Sequence, residues 1–256
     1  MHLPISVRLK LVRQGLLAAA GIGGNRAVAL RKDGDAIIVE VDGREIYVPS
    51  PLRWKLYRQG WKARLDRLEQ EYGVGRFVQL GAESVIVDIG ANAGEFAHIA
   101  ARYGARIYCC EPDPIVGACL ELNISEIVGA STHRIAIWRE NADLAFGLAS
   151  DRADSSFFVD SDRRITVRAQ TLDSFLAANA IGKVDLVKCD AEGAEPEVLD
   201  GLIERAQDVA AIALDTGAER YGERTHDACA ERLAARGFDV IEEKIGTRWM
   251  TYGVRR

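Results

Sequence analysis

The sequence predicts an α/β fold: a mostly parallel, doubly wound sheet carrying an N-terminal α+β extension and an inserted β-hairpin. Three observations lead there. The run Ser84–Ile89 lacks the polar alternation of a half-exposed strand, as expected for a strand buried on both faces, and Ala105–Cys110 and Lys183–Cys189 read as further strands of the same sheet. The first and third of these runs break into small residues, the second into Glu111-Pro112, and each leads into a helical pattern. Chemistry-bearing side chains gather just beyond the strand ends, where open parallel sheets bind ligands.

We divide the chain into an extension, residues 1–79, and a ligand-binding domain, residues 80–256. Residues 3–20 set Arg8, Lys10 and Arg13 among apolar side chains. The clean apolar stretch Gly15–Gly21 is too short to span a bilayer. Two readings stay open: a helix packed on the domain or on a second subunit of a homo-oligomer, or an interfacial helix in peripheral contact with anionic lipid. Ala36–Val48 alternates as two short strands around Asp42-Gly43, a hairpin signal. Pro51–Tyr72 reads as one basic helical stretch, with Trp54, Tyr57, Trp61, Leu65 and Leu68 largely on one face. Those aromatics are core residues, or else a lid whose rings stack on a sugar.

The turn after the first buried strand is the sharpest signal. In Asp88-Ile89-Gly90-Ala91-Asn92-Ala93-Gly94, Gly90 allows a tight turn and a close ligand, and Gly94 allows close packing of the next helix. That helix, Glu95–Tyr103, would present its first amides above the sheet edge, where a ligand carboxylate is favoured. The second strand ends at Glu111, about twenty residues beyond the loop, where a carboxylate accepts hydrogen bonds from ribose hydroxyls. Pro112 and Pro114 end it.

After a third strand at about 133–138, Leu144–Ser150 and Ile165–Ala169 look like an inserted hairpin around the polar loop 151–156, a natural wall for an acceptor pocket. The run from Lys183 then delivers Asp190 and Glu192 to the same edge, and Pro196 falls early in the following helix, where its missing N–H costs least.

A dinucleotide site usually shows a third loop glycine and seats a pyrophosphate on the helix N-terminus. Here Asp88 beside the turn would repel a pyrophosphate and attract an ammonium group, which suits S-adenosylmethionine. No Tyr-x-x-x-Lys follows a strand, as a hydride-transferring alternative would want.

With Val87–Gly94, Glu111-Pro112-Asp113-Pro114, Thr171-Leu172-Asp173 and Lys188–Glu195, the chain resembles the FkbM family of S-adenosylmethionine-dependent methyltransferases over about residues 80 to 255. The resemblance implies a class I, Rossmann-like methyltransferase fold and methyl transfer to a hydroxyl of a sugar, glycan or secondary metabolite. It places the cofactor on Asp88, Gly90, Ala91, Asn92, Gly94, Glu111, Pro112 and Asp190. One departure stands out. Where the family commonly has Glu with His two residues on, this chain reads Asp215-Thr216-Gly217, and His226 lies nine residues beyond Gly217.

An alcohol needs a base, and a buried carboxylate can serve. Asp190 and Glu192 are the catalytic candidates, with cofactor contact and helix capping as their alternative roles. The competing reading is a non-catalytic S-adenosylmethionine-binding or scaffold protein on the same fold. A formal net charge of −5 gives no basic field for nucleic acid. The five cysteines show no Cys-x-x-Cys pair and read as reduced core thiols of a cytoplasmic protein. His98 and His133 lack partners at ligand spacing, so no metal site is assigned, although clustered acids could bind Mg²⁺.

Overall fold

The computed structural model describes residues 4–33, 36–149, 155–158 and 161–255. Helix α1 (Ile5–Ala19) is followed by an antiparallel sheet of β1 (Ala29–Asp33), β2 (Ala36–Val41) and β3 (Arg44–Val48). β2 and β3 form the expected hairpin, with Asp42 and Gly43 in left-handed conformations at its turn. β1 has no apolar pattern because it is almost wholly exposed, and its pairing with β2 is decided by tertiary structure.

The single helix expected over Pro51–Tyr72 is two pieces, a 3-10 helix Pro51–Tyr57 and α2 (Trp61–Glu71). Gly60 breaks it at φ 96°, and a Cβ there would lie 2.6 Å from Asp42 Oδ2, which accepts the Trp61 N–H.

The main sheet contains β4 (Val85–Ile89), β5 (Arg106–Cys110), β6 (Ala130–His133), β10, β11, β12 and β13, connected by α3 (Glu95–Tyr103), α4 (Pro114–Ile124), α5 (Leu172–Ala178), α6 (Glu195–Asp200) and α7 (His226–Ala235). The later strands are β10 (Val184–Cys189), β11 (Val209–Asp215), β12 (Asp239–Ile245) and β13 (Arg248–Val254). The order is β6-β5-β4-β10-β11-β13-β12, parallel except that β13 runs antiparallel to both neighbours. The strand order reverses between β4 and β10, the switch point at which such sheets open a crevice.

The third strand lies at Ala130–His133, earlier than expected. The chain then leaves this sheet and starts a second one with β7 (Ala136–Ile137), β8 (Ala142–Gly147) and β9 (Arg164–Gln170). β8 and β9 pair antiparallel as the inserted hairpin. Ser150 and residues 151–154 of its loop lie outside the described residues.

The extension shares one hydrophobic core with the main sheet: Tyr57, Leu65 and Tyr72 belong to the same cluster as Ile86, Phe96, Ile99 and Tyr252. Burial of apolar surface at roughly 25 cal/mol per Å² therefore ties α2 to the site that it covers. All five cysteines are buried and unpaired, in β5, α4, β10 and α7.

Candidate active site and cofactor cleft

Two cavities meet at the carboxyl ends of β4 and β10, sharing Gly90, Asn92, Asp190 and Glu192 in their walls. The smaller, about 70 Å³, is lined by Glu111, Pro112, Val116, Ile135, Ile137, Phe146 and Phe157. The larger, about 420 Å³, is lined among others by Arg53, Arg64, Phe96, Lys188, Glu219 and Arg248. The inserted segment walls both, with Phe146, Ser155 and Phe157 on the smaller cavity and Ser156 on the larger.

Sequence fixes the partition between them. Gly90 adopts φ 70°, and a Cβ on it would stand 1.9 Å from the carbonyl oxygen of Asp190, so only glycine lets the two loops touch. Asp190 N donates to Ile89 O at 3.0 Å across the same contact. Gly94, at φ 86°, works elsewhere: its missing Cβ makes room for Ile124 and Leu120 of α4.

Six of the eight expected cofactor contacts, Gly90, Ala91, Asn92, Glu111, Pro112 and Asp190, line the cavities. Asp88 and Gly94 line neither. Asp88 is fully buried, and the ammonium group that it meets belongs to Lys188, whose Nζ lies 2.7 Å from Asp88 Oδ1. The direct attraction of a ligand ammonium by Asp88 is thereby corrected: a neighbouring strand neutralises this carboxylate from within, and it supports the loop instead.

Glu111 Oε2 accepts the Asn92 amide at 3.1 Å and Oε1 accepts the Asp113 amide at 3.0 Å. Glu111 lines the smaller cavity, and a carboxylate oxygen that accepts one amide has further acceptor capacity, as ribose hydroxyls would need. Burial pushes the group up to about 7 against those two amide bonds.

Asp190 is held from three sides. Tyr72 Oη donates to its Oδ2 at 3.0 Å, Arg248 Nη1 donates to the same oxygen at 2.9 Å, and Lys188 acts through space. Burial disfavours its charge, yet Arg248 and Lys188 outweigh burial and keep the carboxyl well below the ordinary carboxylate range. Such an anion is a weak base. Its Oδ1 is buried without a hydrogen-bond partner among the described residues and remains an acceptor for a ligand.

Glu192 lines both cavities from a left-handed backbone position, φ 51°. The loop before α6 is held by Glu195. Glu195 Oε1 accepts the Ala191 and Gly193 amides at 3.0 and 3.1 Å, and its Oε2 accepts Thr225 Oγ1 at 3.0 Å.

Several residues take places in the site that sequence reasoning does not assign to them. Asp215, ending β11, pairs with Arg248 and is pushed up to about 7 by burial and by Asp190. Glu219 lines the larger cavity with a buried Oε2 that has no hydrogen-bond partner among the described residues, and burial plus repulsion from Asp190 and Asp215 push it up to about 9. Asp190, Asp215 and Glu219 could together reach one cation, their ligand atoms lying within 4.8 Å of one another. Arg248 Nη1 already serves as that cation for Asp190 and Asp215. His226 lines neither cavity and lies 3.2 Å from Asp227.

The lid reading of the aromatics is also corrected. Trp54, Tyr57 and Trp61 are buried and line neither cavity, while Arg53, Leu56, Arg64 and Leu68 of the same segments line the larger one. Tyr57 Oη donates to Glu95 Oε1 at 3.0 Å, as does Arg64 Nε at 3.3 Å. The aromatic side chains anchor these two helices in the core, and two arginines and two leucines of the same segments line the cavity.

The sequence pattern of the methyltransferase FkbM domain matches residues 88–240. The chain belongs to the FkbM methyltransferase family. It is 26% identical to hexuronic acid methyltransferase AglP of Haloferax volcanii, over 58% of this chain and 62% of that protein. It is also 26% identical to 2-O-methyltransferase NoeI of Sinorhizobium fredii, over 46% of this chain and 57% of that protein. The chain thus spans about three fifths of the length of these relatives. Among solved structures, the fibrillarin pre-rRNA processing protein of Methanococcus jannaschii is 15% identical, with a TM-score of 0.48, over 89% of this chain and 97% of that one.

Within the family segment lie the glycine loop, Glu111, Lys188, Asp190, Glu192 and Glu219. Arg53, Arg64 and Arg248 lie outside it. The FkbM segment therefore builds the smaller cavity, and three of the four cations on the larger one come from flanking sequence.

Proposed function

We propose that this protein transfers a methyl group from S-adenosylmethionine to a hydroxyl of a sugar, glycan or secondary metabolite. The observation that carries the reading is the junction of the two cavities at Gly90, Asn92, Asp190 and Glu192, with Glu111 on one side and buried carboxylates on the other. The matched relatives are named for methyl transfer to a hexuronic acid and for 2-O-methyl transfer, which supports a sugar hydroxyl.

The residues fit the donor. Glu111 would hold its ribose, Ile135, Ile137, Val116 and Phe157 its adenine, and the Gly90–Asn92 loop the amino acid end. Bound there, S-adenosylmethionine supplies an electrophilic methyl group on a positively charged sulfur. The chain's own task is to align the acceptor oxygen and exclude water. Phe146, Phe157 and Leu68 contribute apolar walls for that exclusion. We assign proton acceptance from the acceptor to Glu219, whose raised affinity for a proton makes it the stronger base, and orientation of the ligand to Asp190 and Glu192. Calorimetric titration with S-adenosylmethionine, with Glu111→Ala and NAD as controls, tests the cofactor. Methyl transfer from labelled donor to a panel of uronic acids, neutral sugars and polyketides tests the reaction. Donor binding without transfer to any of them would favour the non-catalytic alternative.

A second reading concerns location. No described helix is long and apolar enough to cross a membrane. On α1, Val7 and Gln14 face the body, Gln14 Nε2 donating to Arg26 O and Arg58 O, while Ile5, Leu9, Val12 and Leu16 form an exposed stripe. Arg8, Lys10 and Arg13 accompany the stripe and the helix contains no acidic residue, so two copies would repel each other whereas an anionic lipid surface would attract them. We propose peripheral docking on anionic lipid. Flotation with phosphatidylglycerol vesicles but not phosphatidylcholine vesicles, abolished by Leu9→Asp, is expected. A stable dimer in sedimentation that Leu9→Asp dissociates would overturn it.

A further inference from the structure

We propose that Arg53 is a carboxylate receptor on the wall of the larger cavity, contributed by the extension and not by the FkbM segment. Four cations line that cavity, and three have partners in place. Arg64 pairs with Glu95 at 3.3 Å, Lys188 with Asp88 at 2.7 Å, and Arg248 with Asp190 at 2.9 Å and with Asp215. Arg53 differs. Its Nε is buried without a hydrogen-bond partner, and among the described residues its guanidinium makes no hydrogen bond or ion pair. It influences Glu95 and Tyr57 only through space.

A buried guanidinium donor left unmatched costs free energy that a ligand can recover, and the planar fork of arginine matches a carboxylate with two parallel hydrogen bonds. The backbone holds the group in place: Ser50 Oγ accepts the Leu52 amide at the start of the 3-10 helix, and Trp54 and Tyr57 of the same turn are locked in the core. The side chain is therefore presented from a fixed support to a cavity that the Gly90–Asn92 loop also lines.

The carboxylate has two possible sources on the proposed reading of function, on which this inference rests only for naming them. One is the amino acid end of the methyl donor. The other is an acceptor carboxylate such as that of a uronic acid.

Calorimetry of wild type, Arg53→Gln and Arg53→Lys separates the sources. S-adenosylhomocysteine carries the amino acid end, 5′-methylthioadenosine lacks it, and glucuronate probes the acceptor side. If the donor's carboxylate is held, Arg53→Gln weakens S-adenosylhomocysteine about tenfold to a hundredfold and leaves methylthioadenosine unchanged. If the acceptor's is held, both nucleosides bind unchanged and glucuronate binding is lost. Either way Arg53→Lys restores part of the affinity. Equal weakening of both nucleosides, or no change for any probe, would overturn the proposal. Should wild type bind neither nucleoside, the methyltransferase reading fails, and glucuronate then decides alone: binding that needs Arg53 supports the receptor, and its absence overturns it.

Discussion

Lys188 on β10 stands directly opposite Asp88 on β4, and its ammonium group bridges Asp88 Oδ1 at 2.7 Å and the carbonyl of Gly90 at 2.9 Å. One side chain thus neutralises the buried carboxylate beneath the turn and fixes the turn itself. Removing a single partner leaves an uncompensated charge in the core, which costs about 3–5 kcal/mol. We expect Lys188→Met to lower stability by that amount in urea denaturation and to abolish nucleoside binding. Asp88→Asn combined with Lys188→Met should recover much of the stability without restoring the turn. A single variant as stable as wild type would show that the pair is not structural.

Glu111 should couple cofactor binding to pH. Its carboxyl is pushed up to about 7 by burial, so the acceptor form that ribose hydroxyls need gains population as pH rises through 7. Ligand binding then favours the deprotonated form and releases a proton. S-adenosylhomocysteine affinity should increase from pH 6 to pH 8, with a binding enthalpy that depends on the buffer's ionisation heat. Glu111→Gln should bind weakly at every pH and lose both dependences.

The base assignment predicts an alkaline profile. Glu219, pushed up to about 9, is protonated at neutral pH and becomes able to take the acceptor's proton only above that value. Once an acceptor is found, kcat/KM should rise with pH toward 9, and Glu219→Gln should flatten the rise and reduce the rate about 10²- to 10⁴-fold. Asp190→Asn should instead chiefly weaken binding. A flat profile in wild type would move the assignment to Glu192.

Gly90 can be tested against a glycine in the same backbone region. Gly75 has φ 80° with nothing within 4 Å of a built Cβ, so Gly75→Ala should cost only the roughly 1–2 kcal/mol of a left-handed alanine. Gly90→Ala adds a collision with the Asp190 carbonyl and must push the two loops apart. Thermal unfolding should show the larger loss at Gly90, and cofactor affinity should fall there alone.

Buried Glu195 gives a stability signature of its own. Burial pushes it up to about 7, so the native state holds a proton that the unfolded chain releases near the ordinary glutamate value of about 4.5. Its contribution to stability is therefore complete at acidic pH and declines by up to about 3 kcal/mol as pH rises through 7. Glu195→Gln should flatten part of that slope in denaturation curves between pH 5 and 8.

The sequence alone determined the elements whose identity is local. The β-branched run of β4 marks a buried parallel strand, Gly90 marks a turn that no larger residue can make, and Glu111 and Asp190 fall at strand ends because strand length fixes where a chain leaves the sheet. Strand and turn propensities act over a few residues and leave a trace in them. Tertiary structure decided which charges meet. Arg248 lies 58 residues from Asp190 in sequence, and its place at the start of β13 depends on β13 running antiparallel beside β11. Arg53 and Arg64 lie in a basic helical stretch with no local mark of a cavity, and it is the fold that buries Trp54, Tyr57 and Trp61 in the core and sets these two arginines on the cavity wall. A charge carries no local mark of its partner, because electrostatic pairing across a cavity depends on distance in space and not on spacing along the chain.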